Sequence, residues 1–346
     1  MFVALVTAGV MAMGPGVVQG GLDAVPAVGA VAEVRDGGRV WRGTSGVAEL
    51  GTSRAVPVAA RFRAGSISKT FVATVVLQLA AEGRMRLDDP VERWLPGVVP
   101  NGENITVRQL LNHTSGLYDY KDTLVMPPNA EFYTYQYRTW TAAEQIQRAL
   151  AHPPVFDKPG SRYDYSNTNY LLLGEIIEKV TGQTYGEQIE RRLIRPLGLH
   201  GTSMPGTSTY IRGAHLHGYV PKDGGLIDFT EMNPSLFGAS GELISTTHDL
   251  NRFFAALLGG RLLPARLLDE MKTPGTEGGT YGLGLSWHDT SCKVRVYGND
   301  GDALAYQAYS YATEDTRRQV TVAVTPDFTA NPDAAVDAFV DRAICH

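Results

Sequence analysis

A chain of 346 residues with 43% apolar and 19% charged side chains has the make-up of an ordinary globular protein with a large core. Its net charge of −5 and its lack of any Lys/Arg run exclude the basic footprint needed to bind nucleic acid or an anionic membrane surface.

The apolar start Met1–Gly14 is too short to span a bilayer, so no transmembrane anchor is expected. It has the apolar centre and small-residue end of a signal segment but no positive start, and an extra N-terminal segment or first helix explains it equally well. Ala27–Asp36 and Arg39–Arg42, separated by Gly37-Gly38, predict a β-hairpin. Arg61–Gly65 predicts a short strand and turn. Ser66–Ala81 predicts a helix apolar on nearly every face, ended by Gly83. Further helices are expected over Thr106–Leu111, Thr141–Ala151, Tyr170–Val180, Tyr185–Leu193 and Thr247–Leu258. Strands are expected over Tyr281–Trp287, Val294–Tyr297, Leu304–Tyr311 and Gln319–Val324, and a closing helix over Pro332–Cys345. Strands at both ends and helices between them predict an α/β fold. One lobe is built from residues 1–80 and 235–346, a mainly helical lobe from 81–234 is inserted into it, and the active site lies between the two.

Ser66-Ile67-Ser68-Lys69 puts a serine at the start of this helix and a lysine one turn later on the same face. Burial disfavours the charged ammonium, so such a lysine can take the hydroxyl proton; the plain alternative is a surface lysine, against which the apolar helix argues. Tyr165-Ser166-Asn167 follows the turn Lys158-Pro159-Gly160 and precedes a helix expected from about Asn169. A tyrosine there can shuttle a proton and an asparagine can hold the lysine, whereas a helix cap beside a buried aromatic is the structural alternative.

Together Phe62–Lys69, Ile105–Leu117, Tyr163–Leu171 and Tyr281–Leu285 resemble the actinomycete D-alanyl-D-alanine carboxypeptidases, which belong with the class C β-lactamases and related esterases. The resemblance runs from about Gly21 to Cys345 and implies the β-lactamase/DD-peptidase fold, an antiparallel sheet flanked by helices. It implies Ser66 as nucleophile, Lys69 as base, Tyr165 as proton relay and Asn167 as the group that positions Lys69. The backbone N–H groups of Ser66 and Asp302 would form the oxyanion hole. No metal or organic cofactor is expected. Cys292 and Cys345 form no metal or redox motif; they read as buried thiols or as a disulfide pinning the C-terminal helix, and the pair is similar to that family's disulfide.

Two positions depart from the family pattern. The usual His-Thr-Gly or Lys-Thr-Gly is replaced by Asn299-Asp300-Gly301, and the arginine and threonine that hold a substrate carboxylate are replaced by Ser286 and Asp302. Asp300 and Asp302 repel a carboxylate and suit a neutral or cationic group such as an amine, unless both simply point to water in a polar turn. An aromatic loop with Tyr118, Tyr120, Tyr133, Tyr135, Tyr137 and Trp140 reads as a wall for the acyl group, or as packing for a long insertion.

Other patterns fall away. His215 and His217 lack a third metal ligand, Gly282-x-Gly284 is not a dinucleotide loop, and the sequons at Asn104 and Asn112 lie in structural motifs. The expected function is acyl transfer from a small-molecule or peptide-like donor to water or an amine, as a specialised amidase, esterase or amide-forming transacylase of antibiotic biosynthesis. The alternatives are a D-alanyl-D-alanine carboxypeptidase or β-lactam hydrolase, and a silent binding protein. A signal segment with bonded cysteines would mean secretion; a biosynthetic transacylase would be cytoplasmic.

Overall fold

Strand-forming runs from the two ends of the chain meet in one sheet. The computed structural model describes residues 15–345, so the expectation for Met1–Gly14 lies outside the described residues. Helix α1 (Pro15–Asp23) leads into β1 (Ala27–Asp36) and β2 (Arg39–Gly46). After β3 (Phe62–Arg63) come α2 (Ser68–Ala81), α3 (Val91–Trp94), α4 (Val107–Leu111), α5 (Ala142–Leu150), α6 (Asn167–Thr181) and α7 (Tyr185–Ile189). A π-helical turn, Glu190–Ile194, joins α7 to α8 (Arg195–Leu197), and β4 (Tyr219–Lys222) and β5 (Gly225–Asp228) form a hairpin. The chain returns through β6 (Ile244–Ser245), α9 (Thr247–Leu258) and α10 (Ala265–Lys272). It closes with β7 (Ser286–Asp289), β8 (Arg295–Asp302), β9 (Gln307–Thr313), β10 (Arg318–Pro326) and α11 (Asp333–Cys345).

The sheet is antiparallel, in the order β2-β1-β10-β9-β8-β7. β1 and β10 are buried on both faces; β1 is apolar at all but Glu33, Arg35 and Asp36, whereas β10 alternates Val320, Val322 and Val324 with the buried polar Gln319, Thr321 and Thr325. Ala30, Ala32, Val320 and Val322 pack on one face against Val336, Phe339 and Val340 of α11 and Val18 and Leu22 of α1. On the other face α9 covers the sheet, and its Phe253 stacks on Phe71 of α2 at 3.7 Å. Each fully buried phenylalanine stabilises by roughly 1.5–3 kcal/mol. On its far side α2 packs against α6 and α7, and α4 and α5 pack on α6. α2 is thus held on all sides, and the turn at its start is rigidly placed.

Several elements differ from expectation. The strand expected over Tyr281–Trp287 is a strand only from Ser286, because the Gly282 N–H turns back to the Leu285 carbonyl (2.8 Å) and the Gly284 N–H reaches the Leu111 carbonyl (3.2 Å). α6 begins at Asn167 rather than Asn169, placing that asparagine in the first helical turn. Helix α10 and the β4–β5 hairpin were not expected; both are short, α10 burying only Leu267, Leu268 and Met271 and the hairpin only Tyr219 and Val220, so each offers few apolar positions to read. Cys292, in the β7–β8 turn, is bonded to Cys345 at the end of α11.

Candidate active site

The turn Ala64–Ile67 brings Ser66 to the N-terminal end of α2, where the chain passes β8. Gly65 adopts φ +52°, and a Cβ there would lie 2.7 Å from the Asp302 nitrogen; one at Gly301 would lie 2.1 Å from the Ala64 carbonyl oxygen. Two glycines therefore allow the nucleophile turn and the sheet edge to run side by side, and the Ser66 and Asp302 backbones lie against each other. β7 pairs with β8 only as far as Gly298, so the edge from Asn299 to Asp302 opens onto a cavity of about 410 Å³. Ser66, Tyr165, Asn167, Ser286, Asn299, Asp300 and Asp302 all line this cavity.

Ser66 Oγ lies 2.7 Å from the Tyr165 hydroxyl and 2.9 Å from Lys69 Nζ. Lys69, fully buried, also donates to Asn167 Oδ1 and to the Ser240 carbonyl, each at 2.7 Å. Those two oxygens can only accept, so they take both hydrogens of a neutral amine and leave its lone pair facing Ser66 Oγ. Burial brings the Lys69 pKa down to about 7, with Asp119 and Asp300 pulling it up and Lys121 pushing it further down. The Tyr165 phenol moves the other way: burial and then the neighbouring Tyr281 phenol raise it well above its ordinary value, partly offset by the bond to Ser66. Neighbouring groups with pKa values driven apart can act as base and acid at one pH.

Two supports of this array were given no role by the sequence: Asp119 carries no motif, and His113 stands unassigned inside the segment Ile105–Leu117. Asp119 Oδ2 accepts from Asn167 Nδ2 at 2.7 Å, which fixes the amide so that its oxygen faces Lys69. His113, fully buried, lies beside the Tyr165 ring with centroids 4.3 Å apart. Its Nδ1 accepts from the Ser166 N–H (3.2 Å), so the proton sits on Nε2; burial and then the nearby Lys69 push its pKa well below the usual value and keep the ring neutral. Asp119→Asn should move the acid limb of the activity profile to lower pH, because it removes a charge that raises the Lys69 pKa. Asp119→Ala should in addition lower kcat by about tenfold, through an Asn167 amide left without its partner. Equal pH profiles for wild type and Asp119→Asn would show that Asp119 has no hold on Lys69.

The aromatic loop does not form the expected wall. Tyr118 stacks on His152 at 4.3 Å and does not line the cavity. Tyr133 donates to the Pro221 carbonyl, Tyr135 packs edge-on to Trp140 at 5.4 Å, and Tyr137 points to solvent. Only Tyr120 reaches the cavity, its buried hydroxyl donating to the Leu236 carbonyl (2.8 Å). The long insertion uses these rings for its own core, where an apolar face gains most. The aromatic and apolar lining comes instead from Met126, Tyr163, Phe237, Tyr281 and Leu304. Tyr163 and Tyr281 stood inside recognised motifs; Met126, Phe237 and Leu304 had no signal.

Asn299 is buried and donates to Thr70 Oγ1 at 3.2 Å, filling the space of the absent cation without replacing its charge. Among the described residues no cluster of His, Cys, Asp or Glu could hold a metal; His217 bonds Asp228 at 2.7 Å and His215 the Gly213 carbonyl. Among these residues, too, no helix is long and apolar enough to cross a membrane.

The D-stereospecific amidohydrolase of a Streptomyces species is 40% identical and superposes with a TM-score of 0.86 over 94% of this chain and 98% of its own. The D-amino acid amidase of Ochrobactrum anthropi SV3, solved with L-phenylalanine, is 29% identical with a TM-score of 0.82 over 95% and 96%. Penicillin-binding protein 4 of Amycolatopsis lactamdurans is 32% identical over 215 residues, which are 60% of this chain and 54% of that protein. The chain spans between 28% and 66% of the length of these curated relatives. Residues 17–345 match the Beta-lactamase family. With that match over nearly its whole length and a six-stranded antiparallel sheet flanked by helices, this chain belongs to the beta-lactamase family, whose serine-hydrolase architecture it shares with penicillin-binding proteins and amidohydrolases.

Proposed function

We propose that this protein is a serine amidase that forms an acyl-enzyme on Ser66 and acts on amides of small D-amino-acid-like acyl groups. The observation that carries the reading is the contact of the buried Lys69 Nζ with Ser66 Oγ at 2.9 Å, its two other partners, Asn167 Oδ1 and the Ser240 carbonyl, both being acceptors. Neutral Lys69 takes the Ser66 proton as Oγ attacks the amide carbon, and the N–H groups of Ser66 and Asp302 hold the developing oxyanion. Tyr165 gives its proton to the departing nitrogen and is reprotonated from Lys69. Water or an amine then attacks the ester, losing a proton along the same path, and Ser66 Oγ recovers its hydrogen.

The substrate class rests on the likeness to the Streptomyces amidohydrolase over nearly all of both chains, and on a 410 Å³ cavity of small-ligand size. A terminal D-alanine carboxylate is disfavoured, since Asp300 and Asp302 line the cavity where the family's carboxylate-binding groups would stand. Amide synthesis, with an amine as second substrate, is a further outcome of the same acyl-enzyme. The disulfide supports folding in an oxidising compartment.

Intact-protein mass spectrometry tests the reading, with wild type and Ser66→Ala incubated with D- and L-aminoacyl esters and amides and a fluorescent penicillin. The expected result is an adduct or turnover that needs Ser66 and favours the D series. Turnover surviving in Ser66→Ala sinks the acyl-enzyme, and binding without turnover by both proteins makes the chain a silent receptor.

A further inference from the structure

The cavity is electrically lopsided, and this extends the amidase reading to its second substrate group. Its acidic end is made by Asp300, Asp302, Ser286 and Asn299, closed by the rings of Tyr163 and Tyr281. Away from that end the lining holds Tyr120, Met126 and Phe237, with Lys121, the one lysine or arginine lining the cavity among the described residues, beside Asp119 and Asp122. Asp302 is partly used, since one of its oxygens accepts from the Leu304 N–H at 2.7 Å. Asp300 has the Tyr311 hydroxyl beside it and no ion-pair partner among the described residues. Its carboxylate is open to solvent on the cavity side; surrounding protein and the like charge of Asp333 raise its pKa, while its own backbone N–H, Lys69 and the Tyr311 hydroxyl lower it, and a further cation in the cavity would act in the same sense as Lys69. Behind it, Asp333 at the start of α11 accepts from Tyr309 and adds a like charge on that side. The hydroxyl of Tyr281, enclosed beside Asn299, makes no well-aligned hydrogen bond of its own.

The acidic end stands on the Tyr165 side of the nucleophile: His113 packs on the Tyr165 ring (4.3 Å) and also on those of Tyr281 (5.0 Å) and Tyr163 (5.9 Å), the two rings that close that end. In the proposed reaction Tyr165 serves the departing nitrogen, so the leaving group, and any amine that replaces it, occupies that end. We propose that Asp300, with Ser286 and Asp302 beside it, is a cation subsite on the leaving-group side, selecting amides whose amine part carries a second, positively charged nitrogen, and diamines as acyl acceptors. In the acceptor direction the free nitrogen of the diamine attacks the Ser66 ester carbon, the C–Oγ bond breaks, and the proton lost by that nitrogen returns to Oγ through Lys69 and Tyr165. The charged nitrogen stays against Asp300 throughout.

The test uses one D-aminoacyl group joined to three amines of matched length: ethylenediamine (cationic), propylamine (neutral) and β-alanine (anionic). The expected kcat/KM for wild type at low salt is about fivefold higher for the cation than for the neutral amide and about fivefold lower for the anion, the upper size of one solvent-exposed charge pair. Asp300→Asn should compress the cation-to-neutral ratio to within about twofold. Equal wild-type rates for all three amides overturn the proposal whether or not the variant folds, and so does discrimination that depends on acetylating the acyl group's own amine but not on the leaving group. Calorimetric binding of the three compounds to Ser66→Ala separates this from the amidase reading. Should wild type turn over none of them, the order cation, neutral, anion in Kd still supports the subsite, and equal Kd values overturn it.

Discussion

Lys69→Met should lower kcat/KM for an amide on the order of 10³-fold, the contribution of a positioned general base, while Ser66 stays in place. The wild-type rate should fall tenfold per pH unit below about 7, because only the neutral amine accepts the Ser66 proton and burial brings this lysine down to about 7. The acid limb should vanish in Lys69→Met, which has no base to titrate. Stability should move the opposite way. Between about 7 and the ordinary lysine value the unfolded chain binds a proton that the folded one does not, so wild-type stability rises with pH across that window. A buried methionine carries no such penalty, and Lys69→Met should melt higher than wild type at pH 7 and lose that part of the pH dependence. A variant that keeps activity with an unchanged acid limb would remove Lys69 from the reaction.

Tyr165→Phe should separate the two halves of the chemistry. The phenol lies 2.7 Å from Ser66 Oγ and its pKa is raised by burial, so it stays protonated and serves as a donor. Amide nitrogen leaves only when protonated, so the variant should lose on the order of 10³-fold on amides. A p-nitrophenyl ester expels a stable anion and needs no acid, and its loss should be only about tenfold, from return of the Ser66 proton. An equal loss on both substrates would make Tyr165 a positioning group rather than the acid. His113 supplies a related check: packed against the Tyr165 ring and neutral, it should be replaceable by Asn with retention of the amide-to-ester ratio but a lower kcat for both.

The sequence by itself determined the α/β class, the pairing of terminal strands in one sheet, and the residues that meet at Ser66. Those signals are local. A serine and a lysine three apart on an apolar helix face each other whatever the rest of the chain does, and each strand shows in its run of β-prone residues. Other local signals stayed open: the tyrosines from Tyr118 to Tyr137 fit a substrate wall or the packing of an insertion, because composition records that rings are present, not which way they face. Tertiary structure decided that Tyr118, Tyr133 and Tyr135 pack within the protein, that Tyr120 reaches the cavity and Tyr137 faces solvent, and that Met126, Phe237 and Leu304 line the cavity. It also decided the supports. The Ser240 carbonyl reaches Lys69 from 171 positions away and Asp119 reaches Asn167 from 48, distances at which spacing carries no information. Most of all it placed Asp300. In sequence, an Asp-Gly-Asp turn anywhere on the surface and one at the mouth of a catalytic cavity are the same three residues; in the structure both carboxylates are exposed to water and line the cavity. The difference is that β7 stops pairing at Gly298 and leaves the next four residues of β8 as an open edge beside the nucleophile, which only the packed sheet can set.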